Sequence, residues 1–119
     1  MIHQLRIYEI FERNKHAFHA RFRDHAARIM KRYGFDIIGM WEAGSEAKEG
    51  APPRTEFVYL LAWPDEATKT AAWDAFMRDA EWAEIKRRTA AEHGRLVGGT
   101  EDRVLSSSSI RRKGADLAA

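Results

Sequence analysis

Three observations predict an α+β fold. The elements run strand, helix, strand, strand, helix, strand; a long helical stripe follows the first strand; and the two central strands are apolar on both faces. That order is the split β-α-β, ferredoxin-like pattern, β-α-β-β-α-β. Two right-handed crossovers then place both helices on one face of a four-stranded antiparallel sheet. The 119 residues suit one domain with a modest core. We assign it to residues 1–105 and expect the Ser-rich, then basic segment 106–119 to be an extended or flexible tail.

The elements are justified in turn. Ile2 to Ile10 alternates, with Leu5 and Ile7 on one face and Gln4, Arg6 and Tyr8 on the other, as a strand does. Arg13 to Tyr33 is a helix, because Phe18, Phe22, Ala26, Ile29 and Tyr33 recur at steps of three and four. Asn14 or a neighbour is the candidate cap, and Gly34 the stop. Phe35 to Ala43 is a strand, with Ile37, Gly39 and Trp41 opposing Ile38 and Met40. Residues 43–55, rich in Gly, Ser and Pro, form a hairpin loop long enough to serve as a lid. Glu56 to Trp63 is the strongest strand, setting Phe57, Tyr59, Leu61 and Trp63 against Val58, Leu60 and Ala62. Asp65 caps a helix through Phe76, which breaks near Arg78–Asp79 and resumes past Trp82 to Gly94. Leu96 to Thr100, with its Gly98-Gly99 pair, reads as a turn, and Glu101 to Ser106 as a short last strand.

Nothing in the chain remains to cover the second face of this sheet. That face carries about six large apolar side chains, each contributing roughly 1.5–3 kcal/mol when fully buried. Their sum rivals the whole stability of a domain, about 5–15 kcal/mol. A second copy of the same face, related by a two-fold axis, is the expected cover. Two such sheets close into a dimeric α/β barrel able to hold a small ligand.

Composition excludes several classes. With no cysteine, disulfides and thiolate chemistry are ruled out. The formal charge is +2, but Arg111, Arg112, Lys113 and Asp116 in the tail account for all of it. The folded segment therefore lacks the basic footprint of nucleic-acid binding. No apolar run is long enough for a membrane span, and Met1-Ile2-His3-Gln4 lacks the basic-then-apolar form of a signal peptide, so a cytoplasmic location is expected. Neither a Gly-x-Gly-x-x-Gly, nor a P-loop, nor a Gly-x-Ser-x-Gly elbow is present, so no cofactor is expected. His16, His19 and His25 lack ligand spacing, so no metal is expected either.

The candidate ligand-binding residues are Arg6, Tyr8, Trp41, Tyr59 and Trp63. Setting Leu5 and Ile7 against the helices points Arg6 and Tyr8 into the barrel. A buried Arg there needs a carboxylate or an anionic ligand. Tyr8 and Tyr59 would supply hydroxyl donors, and Trp41 and Trp63 an aromatic wall. No catalytic residue can be named from the sequence.

Leu5-Arg6-Ile7-Tyr8, the helix end Arg32-Tyr33-Gly34, then Ile38-Gly39-Met40-Trp41 and Asp79-Ala80-Glu81-Trp82 occur in an order and spacing that resembles the NIPSNAP family, over roughly residues 3–105. The resemblance implies a dimeric α/β barrel, a fold shared with small cofactor-free monooxygenases, mutarotases and dechlorination-type enzymes. It brings little chemistry of its own. The chain departs from the family pattern with Ala80 where a Pro is usual, and with Tyr59-Leu60-Leu61-Ala62-Trp63 at the end of the third strand. The expected function is the holding of a small apolar or acidic molecule, by a cofactor-independent enzyme or by a binding protein. The alternative is a non-catalytic structural or interaction dimer.

Overall fold

A computed structural model describes residues 1–45, 50 and 54–107. Its elements are β1 (Ile2–Ile10), α1 (Lys15–Arg21), α2 (Ala27–Arg32), β2 (Asp36–Ser45), β3 (Arg54–Trp63), α3 (Glu66–Met77), α4 (Ala80–His93) and β4 (Val97–Leu105). The four strands form one antiparallel sheet in the order β2-β3-β1-β4. This is the ferredoxin-like arrangement. The expected loop 43–55 is shorter at both ends, because β2 reaches Ser45 and β3 begins at Arg54; the lid reading falls on residues 46–49 and 51–53, outside the described residues. The tail from residue 108 lies outside them as well.

The helices cover the face of β3 that carries Phe57, Tyr59, Leu61 and Trp63, all at most 5% exposed. Val58 and Leu60, on the opposite face, are only partly buried. Directly paired residues on neighbouring strands share a face. Gln4 pairs with Leu61, Arg6 with Tyr59 and Tyr8 with Phe57. Arg6 and Tyr8 therefore face the helices, and Leu5 and Ile7 face away. This reverses the expectation for β1: both faces hold apolar groups, so alternation defines two faces without saying which one the helices take.

β2 carries a second correction. Its pairing with β3 shifts between Ile37 and Gly39, where a β-bulge places an extra residue. Beyond the bulge Met40 pairs with Tyr59 on the helix side, and Trp41 pairs with Val58 on the open side. The Trp41 ring lies back over Gly39, where an added Cβ would come within 2.7 Å of it. Trp41 is 53% exposed, and it stands on the opposite side of the sheet from Tyr59 and Trp63.

β4 runs for nine residues from Val97, so Gly98-Gly99 is strand rather than turn. The glycines are there for close approach: a side chain at Gly98 would collide with the Glu9 carboxylate and meet the Phe11 ring at 3.3 Å.

The first helical stretch begins with a 3₁₀ turn and contains a π turn, Phe22–Ala26, between α1 and α2. Its stripe Phe18, Phe22, Ala26 and Ile29 is buried as the periodicity predicts. Asn14 makes no cap; its side-chain amide instead donates to the His93 and Arg95 carbonyls, at 3.2 and 2.8 Å, and ties the start of this stretch to the end of α4. Both expected aspartate caps are present. Asp65 accepts from the Thr68 N–H at 2.7 Å, and Asp79 from the Trp82 N–H at 2.8 Å. Asp79 also accepts from the Tyr33 hydroxyl at 2.5 Å and from Arg32 at 3.0 Å. These donors hold its carboxyl below the usual range, the Tyr33 hydroxyl most strongly. Arg28 and Arg32 both reach Glu81 at 2.9 Å, clasping α2 to the start of α4.

Candidate functional site

The layer between sheet and helices divides into a packed half and a hollow half. In the packed half, Gln4 is 1% exposed and its carbonyl oxygen accepts from two indoles, Trp63 at 2.9 Å and Trp73 at 2.7 Å. Its amide nitrogen donates to Asp102 on β4 at 2.8 Å. Phe35 fills the space between the indoles, edge-on to Trp63 at 4.9 Å and to Trp73 at 4.8 Å. Trp63 is thus a core residue whose polar atom is satisfied, and it does not line the cavity.

The hollow half holds a partly open cavity of about 190 Å³. Arg6, Tyr8, Val97 and Thr100 of β1 and β4 form its floor. Phe18 and Arg21 of α1, Phe22 and Ala26 of the π turn and Met30 of α2 form one wall. Trp73, Phe76 and Met77 of α3 and Trp82 and Lys86 of α4 complete it. The break at Asp79 is what turns Trp82 inward, stacked on Phe76 at 5.3 Å. A π turn widens the helix locally and is often found at functional sites; here it lies in the cavity wall.

Three lining residues are cations and none is a carboxylate. The Arg6 side chain is 19% exposed, with its guanidinium 4.6 Å from the Trp73 ring and 5.2 Å from the Tyr8 ring. One of its terminal nitrogens donates to the Tyr8 hydroxyl at 3.2 Å, and the other lies 3.8 Å from Asp102. Its Nε is buried without a partner. Burial works to lower the Arg6 pKa, but the oxygens of Tyr8 and Tyr59 outweigh it, and the guanidinium stays charged. Tyr8 and Tyr59 share a hydrogen bond of 2.5 Å. Tyr59 is wholly buried, and burial first, then its neighbour Tyr8, pushes its pKa well above the ordinary phenol value. It stays protonated and able to donate to Tyr8. Arg6 donates to the Tyr8 oxygen, and either phenol can donate in the bond between Tyr8 and Tyr59. Arg21 donates to the Thr89 hydroxyl at 3.1 Å and sits 5.4 Å from the Trp82 ring; Lys86 sits 5.7 Å from the same ring.

Of the five candidates, Arg6 and Tyr8 line the cavity, and Tyr59 supports Tyr8 from behind. Trp63 belongs to the packed half, and Trp41 to the open face. Arg21, Trp73, Trp82 and Lys86 went unnoticed as lining residues. A signal for two of them was available: Arg21 lies one turn from Phe18, and Lys86 one turn from Trp82, so each cation borders an apolar stripe. Among the described residues no group of three or more His, Asp or Glu is placed to hold a metal, and no helix is long and apolar enough to cross a membrane.

Fold and site together define a ferredoxin-like α+β domain with an aromatic, cation-bearing cavity between its sheet and its helices. The sequence matches the NIPSNAP family over residues 3–110, and the chain belongs to that family. Among solved structures it is similar to a NIPSNAP domain protein from Burkholderia xenovorans, with a TM-score of 0.71 at 18% identity, covering 95% of this chain and 100% of that one. A NIPSNAP family protein from Agrobacterium tumefaciens superposes with a TM-score of 0.66 at 14% identity, covering 95% and 98%. More distant is a putative antibiotic biosynthesis monooxygenase from Nitrosomonas europaea, with a TM-score of 0.53 at 15% identity, covering 90% and 98%. No curated protein sequence matches the chain.

Proposed function

We propose that this domain binds a small, partly aromatic acid in the cavity between sheet and helices, with Arg6 as its anion anchor and the Tyr8 hydroxyl as a second donor. The observation that carries this reading is the Arg6 guanidinium, set in the cavity floor beside the Trp73 and Tyr8 rings, with Asp102 no nearer than 3.8 Å to one of its terminal nitrogens. A dry donor on a charged group is costly unless something accepts from it. A ligand carboxylate or enolate oxygen in the cavity supplies an acceptor for that terminal nitrogen. The lining residues include no histidine and no carboxylate to act as a proton-abstracting base, which favours a binding role over proton-transfer catalysis. The site expected inside a two-chain barrel is thereby moved to the helix side of each chain. The test is thermal shift of wild type and Arg6→Met with benzoate and other small carboxylic acids. Wild type should be stabilised and Arg6→Met should not; equal shifts, or none, remove Arg6 as the anchor.

A homodimer through the open face is part of the same proposal. That face carries Leu5, Ile7, Val58 and Leu60 flanked by Ile38 and Trp41, both 53% exposed. Solvent rarely faces so continuous an apolar surface in a monomer. This patch is also what favours the second reading, a structural or interaction dimer. Small-angle scattering of wild type and Trp41→Glu at micromolar concentration tests it: a dimer that the charge dissociates supports the proposal, and a wild-type monomer removes it.

A further inference from the structure

Resting on that ligand-binding reading, we propose that the bound acid carries two negative charges on a single ring, as a benzene dicarboxylate does, and that Arg21 and Lys86 bind the second. The argument is one of charge balance. Arg6, Arg21 and Lys86 bring three cations to one cavity from three elements, β1, α1 and α4. The nearest carboxylate, Asp102, stands 3.8 Å from Arg6 and already accepts from Gln4 at 2.8 Å. Arg21 has only the neutral Thr89 hydroxyl. Arg21 and Lys86 both lie beside the Trp82 ring, which offsets part of their charge and accepts no further hydrogen bond. A monoanion on Arg6 leaves Arg21 and Lys86, both half-buried, without an anionic partner, whereas a second anionic group meets them.

Size and lining select the spacer. A cavity of about 150 Å³ accommodates benzene, and the 190 Å³ here suits one ring with two small substituents. Phe18, Phe22, Phe76 and Trp82 offer ring faces and edges to such a ring.

The experiment is isothermal titration of the full chain with benzoate and with isophthalate, at one fixed ionic strength, for wild type, Arg6→Met, Arg21→Met and Lys86→Met. Near-ultraviolet circular dichroism checks that each variant is folded. Wild type should bind isophthalate at least about tenfold more tightly than benzoate, the scale of one added charge-assisted contact. Arg21→Met and Lys86→Met should each weaken isophthalate by more than benzoate and so lose that preference; Arg6→Met should weaken both acids. Benzoate binding as tightly as isophthalate to wild type, or a preference that survives in both Arg21→Met and Lys86→Met, overturns the dianion while the ligand-binding reading stands. No binding of either acid overturns both.

Discussion

The two halves of the helix-covered layer are built from the same kinds of side chain and behave in opposite ways. Around Gln4, two indole N–H groups converge on one carbonyl and Phe35 fills the gap between the rings. Around Arg6, aromatic rings of similar size leave a void, and a charged donor has no acceptor. The difference is one of satisfaction, not of hydrophobicity. A buried polar group whose partners are supplied by the chain stabilises the fold. One whose partner is missing costs free energy instead.

This contrast can be broken by mutation, with the largest effect expected in the packed half. Trp63→Ala should cost about 3–5 kcal/mol, as large-to-small changes of buried aromatics do, measured by urea unfolding. A loss under about 1 kcal/mol would mean that this half is not tightly packed after all. Gln4→Leu keeps the volume and strips the shared acceptor, at about 1–3 kcal/mol for each indole N–H left dry. The hollow half should respond differently. Arg21→Met should be neutral or stabilising by about 1 kcal/mol, because replacing a half-buried charge that has no carboxylate partner by an apolar group of similar size relieves desolvation. If Arg21→Met destabilises as much as Gln4→Leu, the proposed distinction between the halves fails.

The smallest effect concerns the clasp that sets α4 over the hollow half. Arg28, then Arg32, hold the Glu81 carboxyl down to about 2. A carboxyl depressed in the folded state contributes stability above its ordinary value of about 4.3, and that contribution is lost as pH falls toward about 2. Glu81 is exposed, so solvent screens much of the effect. Glu81→Gln should melt slightly below wild type at neutral pH, and the gap should narrow between pH 4 and pH 2. A gap that stays constant would show that the clasp acts through shape and not through charge.

Much of the fold was legible in the sequence because its signals are local. Asp65 and Asp79 announce their helices, the Phe18–Ile29 stripe its buried side, and the Glu56–Trp63 run its strand. The site was less legible, because it depends on which side of the sheet each residue takes. β1 is apolar on both faces, and a choice wrong by one residue sent Arg6 and Tyr8 to the open side. In β2 the bulge after Ile37 moved Trp41 across the sheet, and Gly39 was its only local sign. Gly98-Gly99 reads as a turn unless the approach of Glu9 and Phe11 is known, and that contact is long-range. Arg21 and Lys86 look like ordinary solvent-facing cations until two separate helices bring them to one indole.

The break at Asp79 has a consequence for how this scaffold can change. α3 serves both halves, with Trp73 between them and Phe76 and Met77 on the hollow one, whereas α4 contributes Trp82 and Lys86 to the hollow half. One capping aspartate separates them. Selection, natural or in the laboratory, can therefore reshape the hollow half along α4 while Trp73 and the packing around Gln4 are left alone, a modularity that one unbroken helix would not offer.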